Sequence, residues 1–133
     1  MGRIVSIANQ KGGVGKTTTA VNLGASLAVA ERTVLIVDVD PQANATSGLG
    51  ITPEQIRSSS YEVLIGTVDA SEAVVRTELD YLDILPANRD LAGAEIELVA
   101  LDEREWRLRD GLATLRDHYE FIIIDCPPSL GLL

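Results

Sequence analysis

The chain is 133 residues long, 46% hydrophobic and 23% charged, with 20 acids against 11 bases for a formal net charge of −9. That is the size and balance of one globular domain spanning residues 1–133, and it excludes a disordered chain, a collagen-like repeat and a coiled coil. A surface this acidic repels phosphate backbones unless its bases are gathered locally. The aromatics Trp106, Tyr61, Tyr81, Tyr119 and Phe121 offer little for base stacking, so composition does not describe a nucleic-acid binder.

In chain order, Arg3 to Ala8 reads as a short, mostly apolar strand buried on both faces. A glycine-rich turn follows from Lys11 to Gly15. Lys16 to Ala30 then places Ala20, Leu23, Gly24, Leu27 and Ala28 on one face of a helix. Thr33 to Val39 is a second β-branched run without alternation, closed by Asp38-Val39-Asp40-Pro41. Residues 42–60, rich in Gly, Ser, Thr and Asn, read as loop with short helical pieces.

Further along, Asp69 with Glu72 forms a variant capping box for a helix over Ser71 to Arg76. Leu82 to Leu85 is predicted as a third strand, and Asp90 caps a predicted helix reaching Leu101. Glu103 to Asp117 carries Leu108, Leu112 and Leu115 on one helical face. Tyr119 to Asp125 is predicted as a fourth strand, ended by Cys126-Pro127-Pro128. Strands alternating with helices argue for an α/β fold around a parallel sheet. The last residues, Ser129-Leu130-Gly131-Leu132-Leu133, lack a polar finish, so the chain is expected to stop within a domain.

The apolar runs are far shorter than a membrane span, and a strand-like segment begins too soon after Met1 for a signal peptide. A lone cysteine, Cys126, cannot form an internal disulfide. These features point to the cytosol.

The most informative stretch is Lys11-Gly12-Gly13-Val14-Gly15-Lys16-Thr17-Thr18. Glycines let consecutive backbone N–H groups converge on one point, and a helix opening near Lys16 adds its positive end to that nest. Lys16 can then reach β and γ phosphates, and the Thr17 hydroxyl can complete a Mg²⁺ shell. The pattern G-x-x-x-x-G-K-[ST] is not met, because Gln10 stands at its first glycine; the form present is K-G-G-x-G-K-T. With each of its fixed residues at about 6–7% usage, a chance match has a probability of roughly 1 in 100,000.

Several runs around this loop belong together: Ala8-Asn9-Gln10, Thr17-Thr18-Thr19, Asp38-Val39-Asp40-Pro41-Gln42-Ala43-Asn44-Ala45-Thr46, Pro86-Ala87-Asn88, Leu91-Ala92-Gly93-Ala94-Glu95 and Asp125-Cys126-Pro127-Pro128-Ser129. On these the chain resembles the deviant Walker-A ATPases, and within them the ParA/Soj partitioning family, over essentially its whole length. MinD-like relatives share the lysine loop but usually lack the D-P-Q-x-N-x-T run.

The resemblance implies a P-loop NTPase-like, mostly parallel sheet with flanking helices, cut after the Walker-B strand. It implies ATP and Mg²⁺ as ligands, with Lys11 reaching across an ATP-sandwich homodimer to the partner's phosphates. Asp40 is then the carboxylate that polarises the attacking water, Asp38 lies near the Mg²⁺ shell and Asp125 is the Walker-B carboxylate. Gln42 to Thr46 becomes one nucleotide-sensing switch and Pro127 to Gly131 a second. The full-length form is expected to be cytoplasmic and nucleoid-associated, to coat DNA non-specifically and to hydrolyse ATP under a ParB-type partner. DNA binding by this acidic piece is expected to be weak or absent.

Two readings stay open: a working nucleotide-binding half, and a remnant that keeps the loop without turning over, as an interaction fragment at most. A MinD-like membrane-cycling ATPase is a third, but that role needs a C-terminal amphipathic helix that the sequence does not display. Other candidates are bland. His118 reads as a surface residue and Cys126 as a small buried one, and one histidine with one cysteine assembles neither zinc site nor triad. Arg104, Arg107, Arg109 and Arg116 interleave with Glu103, Glu105, Asp110 and Asp117, which describes a solvated face.

Overall fold

A computed structural model describes residues 3–8, 14–40, 42–87 and 110–126. Its strands are β1 (Arg3–Ala8), β2 (Val34–Asp38), β3 (Val75–Arg76), β4 (Leu82–Leu85) and β5 (Phe121–Cys126). They form one sheet in the order β1-β5-β2-β4-β3, with every pairing parallel except β3 on β4. A mostly parallel sheet must be covered on both faces, which is why Val34 to Val37 read as an unbroken apolar run and are fully buried.

Helix α1 (Val14–Val29) covers one face, where Ala20 and Ala28 pack with Val34, Ile36, Ile84 and Ile123. The other face carries Leu35, Val37, Leu85, Ile122 and Ile124 under α3 (Ser60–Ile65) and α4 (Ala70–Ala73), joined by Leu112 and Leu115. Helix α2 (Asn44–Gly48) lies between α1 and the carboxyl end of β2, with Ala45 buried against the α1 face.

Gly24 lets α1 approach the sheet. A Cβ there would stand 2.8 Å from Ile36 Cδ1 and 3.5 Å from Leu82 Cδ1, and both side chains are fully buried. Gly24→Ala gains about 1 kcal/mol of helix propensity, whereas overpacking a filled core costs about 1–3 kcal/mol. The clash is expected to win, lowering stability by a net of up to ~2 kcal/mol, seen as a lower denaturant midpoint at unchanged m-value.

Tyr119, just before β5, donates its hydroxyl to Asp83 Oδ2 on β4 at 2.7 Å, a bond that spans the intervening β2. Burial and this carboxylate push the phenol well above its usual range. Because the pair is only partly buried, water can replace the lost donor, and Tyr119→Phe is expected to cost about 1 kcal/mol in the same unfolding experiment.

Several expectations need correction. The helix predicted over Ser71 to Arg76 is α4 and ends at Ala73, with Asp69 accepting from the Ser71 N–H as its cap. Val75 and Arg76 instead form β3, because the β-branched pair Val74 and Val75 disfavours a further helical turn and Val75 suits an edge strand, pairing with Ile84 while Arg76 pairs with Asp83. The two later strands are therefore fourth and fifth in chain order. Leu23 leans outward at 37% exposed, and Val21 takes its place against the core. Of the helix predicted over Glu103 to Asp117, residues 110–112 are helical and Ala113–Leu115 tighten into a 3₁₀ turn; the remainder lies outside the described residues. The helix predicted from Asp90 to Leu101 lies outside them too.

Strand β1, expected from its apolar run to be buried on both faces, forms an edge of the sheet among the described residues, and Val5 is 39% exposed. No helix among the described residues is long and apolar enough to cross a membrane.

Candidate functional site

All the parallel strands end at one rim, and the carboxylates singled out in the sequence gather there. Asp38 closes β2 and Asp125 stands one residue before the end of β5; the two are direct register partners. In a parallel pair such residues point to the same face, with the strands about 4.8 Å apart. Counting by twos from Val34, Ile36 and Ile123 puts both carboxylates on the α1 face. The chain must return from the carboxyl end of β1 to the amino end of β2, so the first turn of α1, containing Val14, Gly15, Lys16 and Thr17, opens at this rim. Thr18 follows on its exposed side. Lys11, Gly12, Gly13 and the segment Pro127 to Gly131 lie outside the described residues.

Asp38 is fully buried and holds the segment that follows it. Its Oδ1 accepts from the Asp40 N–H at 3.0 Å. Its Oδ2 accepts from the Thr46 N–H at 2.9 Å and from the Thr46 hydroxyl at 2.7 Å. Burial pushes the Asp38 carboxyl up to about 6 and the neighbouring Asp125 adds to the rise, against the pull of these three donors.

Asp40, 6% exposed, accepts the Gln42 N–H on Oδ1 at 2.9 Å, and its carbonyl accepts from the Ala43 N–H at 2.8 Å. Ala43 is left-handed at φ 55, a conformation costing a non-glycine residue about 1 kcal/mol, and it caps α2. The acidic turn is thus tightly wound.

Ser60 was not singled out in the sequence, and no motif marks it. Its hydroxyl donates to the Asp38 carbonyl at 2.6 Å and its N–H donates to the Pro86 carbonyl at 2.8 Å, tying the ends of β2 and β4 together. A Ser59–Glu62 capping box, an S-x-x-E pattern likewise not singled out in the sequence, sets α3 at this point.

Two buried carboxylates side by side are costly unless a cation or proton relieves them. Among the described residues no cluster of three or more His, Cys, Asp or Glu could hold a metal by itself. Mg²⁺ does not require such a cluster, being held by one or two carboxylates together with phosphate oxygens and water, and the Asp38–Asp125 pair can supply those carboxylates. A helix N-terminus at the same rim fits the phosphates. An open cavity of about 800 Å³, bordered by Arg76, Tyr81, His118 and Tyr119, lies away from this acidic rim at the amino ends of β4 and β5. His118 is exposed there, as expected.

A parallel sheet whose acidic strand ends meet the first turn of a long helix is the architecture of P-loop nucleotide-binding proteins. The family model for the AAA domain matches residues 2–133, and the chain belongs to that family. It is 60% identical to the chromosome partitioning protein ParA of Myxococcus xanthus, covering 100% of this chain and 47% of that protein. Against the sporulation initiation inhibitor protein Soj of Bacillus subtilis the identity is 54%, over 100% of this chain and 53% of the relative. Among solved structures, a Mycobacterium smegmatis protein described as cobyrinic acid a,c-diamide synthase, with bound ADP and magnesium, superposes with a TM-score of 0.90. It is 49% identical over 99% of this chain and 54% of its own. The ParA/Soj resemblance is borne out, and the chain spans about half the length of the curated relatives it matches.

Proposed function

We propose that residues 1–133 are the nucleotide-binding part of a ParA/Soj-type partitioning ATPase that works on ATP·Mg²⁺ in the cytoplasm. The observation that carries this reading is the in-register pair Asp38 and Asp125, buried at the rim where α1 opens. The backbone from Lys11 to Thr18 cradles the phosphates, with Gly12, Gly13, Val14 and Gly15 allowing close approach and Lys16 neutralising the β and γ oxygens. Thr17 and Asp125 hold Mg²⁺, with Asp38 beside them. Magnesium, when bound, neutralises charge on the phosphates. Asp40 orients the attacking water, and Lys11 completes the site across an ATP-dependent homodimer. In the whole protein the dimer binds DNA non-specifically and responds to a ParB-type partner.

The test is calorimetric titration of the 133-residue protein with ATP·Mg²⁺. Saturable binding is expected, and its loss in Lys16→Ala. A folded chain that shows no binding overturns the reading and leaves a remnant that needs further chain even to capture nucleotide.

A further inference from the structure

The Thr46 hydroxyl has one proton to give and lone pairs to receive. The Ala87 N–H, at the end of β4, points at Thr46 Oγ1 at 3.0 Å and can only donate, so the hydroxyl proton goes to Asp38 Oδ2 at 2.7 Å. Asp38 in turn holds the Asp40 N–H through its other oxygen. Thr46, Ala87 and Asp38 are all buried, so water cannot substitute for any member of this chain. A donor at every position except the carboxylate gives the relay one direction.

We propose that Thr46 is a positioning residue, whose hydroxyl relays the end of β4 to Asp38 and thereby fixes the backbone of Asp40 at the nucleotide rim. The catalytic consequence rests on the function proposed above; the relay itself does not. Removing the hydroxyl leaves the Ala87 N–H without its acceptor and Asp38 Oδ2 with one donor fewer, which loosens the Asp40 turn while the sheet stays intact.

The experiment compares Thr46→Val, of the same shape without the hydroxyl, with Thr46→Ser, which keeps it. Amide hydrogen exchange of the nucleotide-free protein is read at Asp40, Thr46 and Ala87, with Ile36 and Ile123 reporting the core. In Thr46→Val, exchange at Asp40 and Ala87 is expected to accelerate roughly tenfold or more with the core unchanged, and Thr46→Ser to restore it. Where the wild-type protein turns over ATP, Thr46→Val is expected to lower kcat at similar KM. Unchanged exchange at Asp40, equal acceleration at Ile36 and Ile123, or a Thr46→Ser variant behaving like Thr46→Val each overturns the relay. A wild-type chain that binds no ATP overturns the proposed function and leaves the exchange result to judge the relay alone.

Discussion

In Asp40→Ala, ATP turnover is expected to fall by roughly 10²–10⁴-fold while calorimetry still shows ATP·Mg²⁺ binding. Asp40 stands beyond the end of β2, nearly buried, with Oδ1 committed to the Gln42 N–H. In the proposed function its second oxygen is the one that would hold a water at the rim. Phosphoryl transfer passes through a loose transition state, so in the proposed function the carboxylate is expected to contribute by orienting that water more than by removing its proton. Asp40→Asn separates the two contributions, because the amide oxygen still accepts from Gln42 and only the charge is lost. A turnover rate unaffected by Asp40→Ala would remove Asp40 from the chemistry. A loss of binding in the same variant would assign it to nucleotide capture.

The loop lysines, the acidic run after the second strand and the apolar run into Asp125 were legible because each lies within a few consecutive residues. Unbroken apolar, β-branched runs were enough to foresee buried strands, and β2 and the middle of β5 bear that out. The pairing of Asp38 with Asp125 was not legible. It depends on β5 inserting between β1 and β2, and nothing local in residues 121–126 specifies which strands they will separate. The two-residue β3 was hidden for a different reason: Asp69 and Glu72 give a real helix start, and only tertiary pairing with β4 ends that helix at Ala73. Leu23 shows the limit of helical offsets, since a face drawn from a wheel does not know that Gly24 brings the helix down on Ile36. The Thr46 and Ser60 ties join residues 41 and 22 positions apart, and no spacing rule reaches that far.

Replacing Asp38 by Asn is expected to change how stability depends on pH. In the unfolded chain this carboxyl titrates near its model value of 3.8; in the fold burial raises it to about 6. Between those values the folded state holds the proton more tightly than the unfolded one. The contribution to stability is therefore fully present below pH ~4 and is lost as pH rises through ~6, by on the order of 3 kcal/mol. Asn cannot titrate, so denaturant midpoints of wild type and Asp38→Asn, measured in chelator from pH 4 to 8, should converge or cross. The wild type should gain relative to the variant as the solution is acidified. Other carboxylates act alike in both proteins and cancel in the difference. The two levels differ as well, because the Asn amide turns a donor toward either Asp40 or Thr46, both of which donate themselves. Curves that stay parallel across the range would mean that the three donors outweigh burial and keep Asp38 ionised throughout. ATP·Mg²⁺ added at pH 8 should then raise the wild-type midpoint more than that of Asp38→Asn, since a cation at this rim favours the charged form that burial penalises.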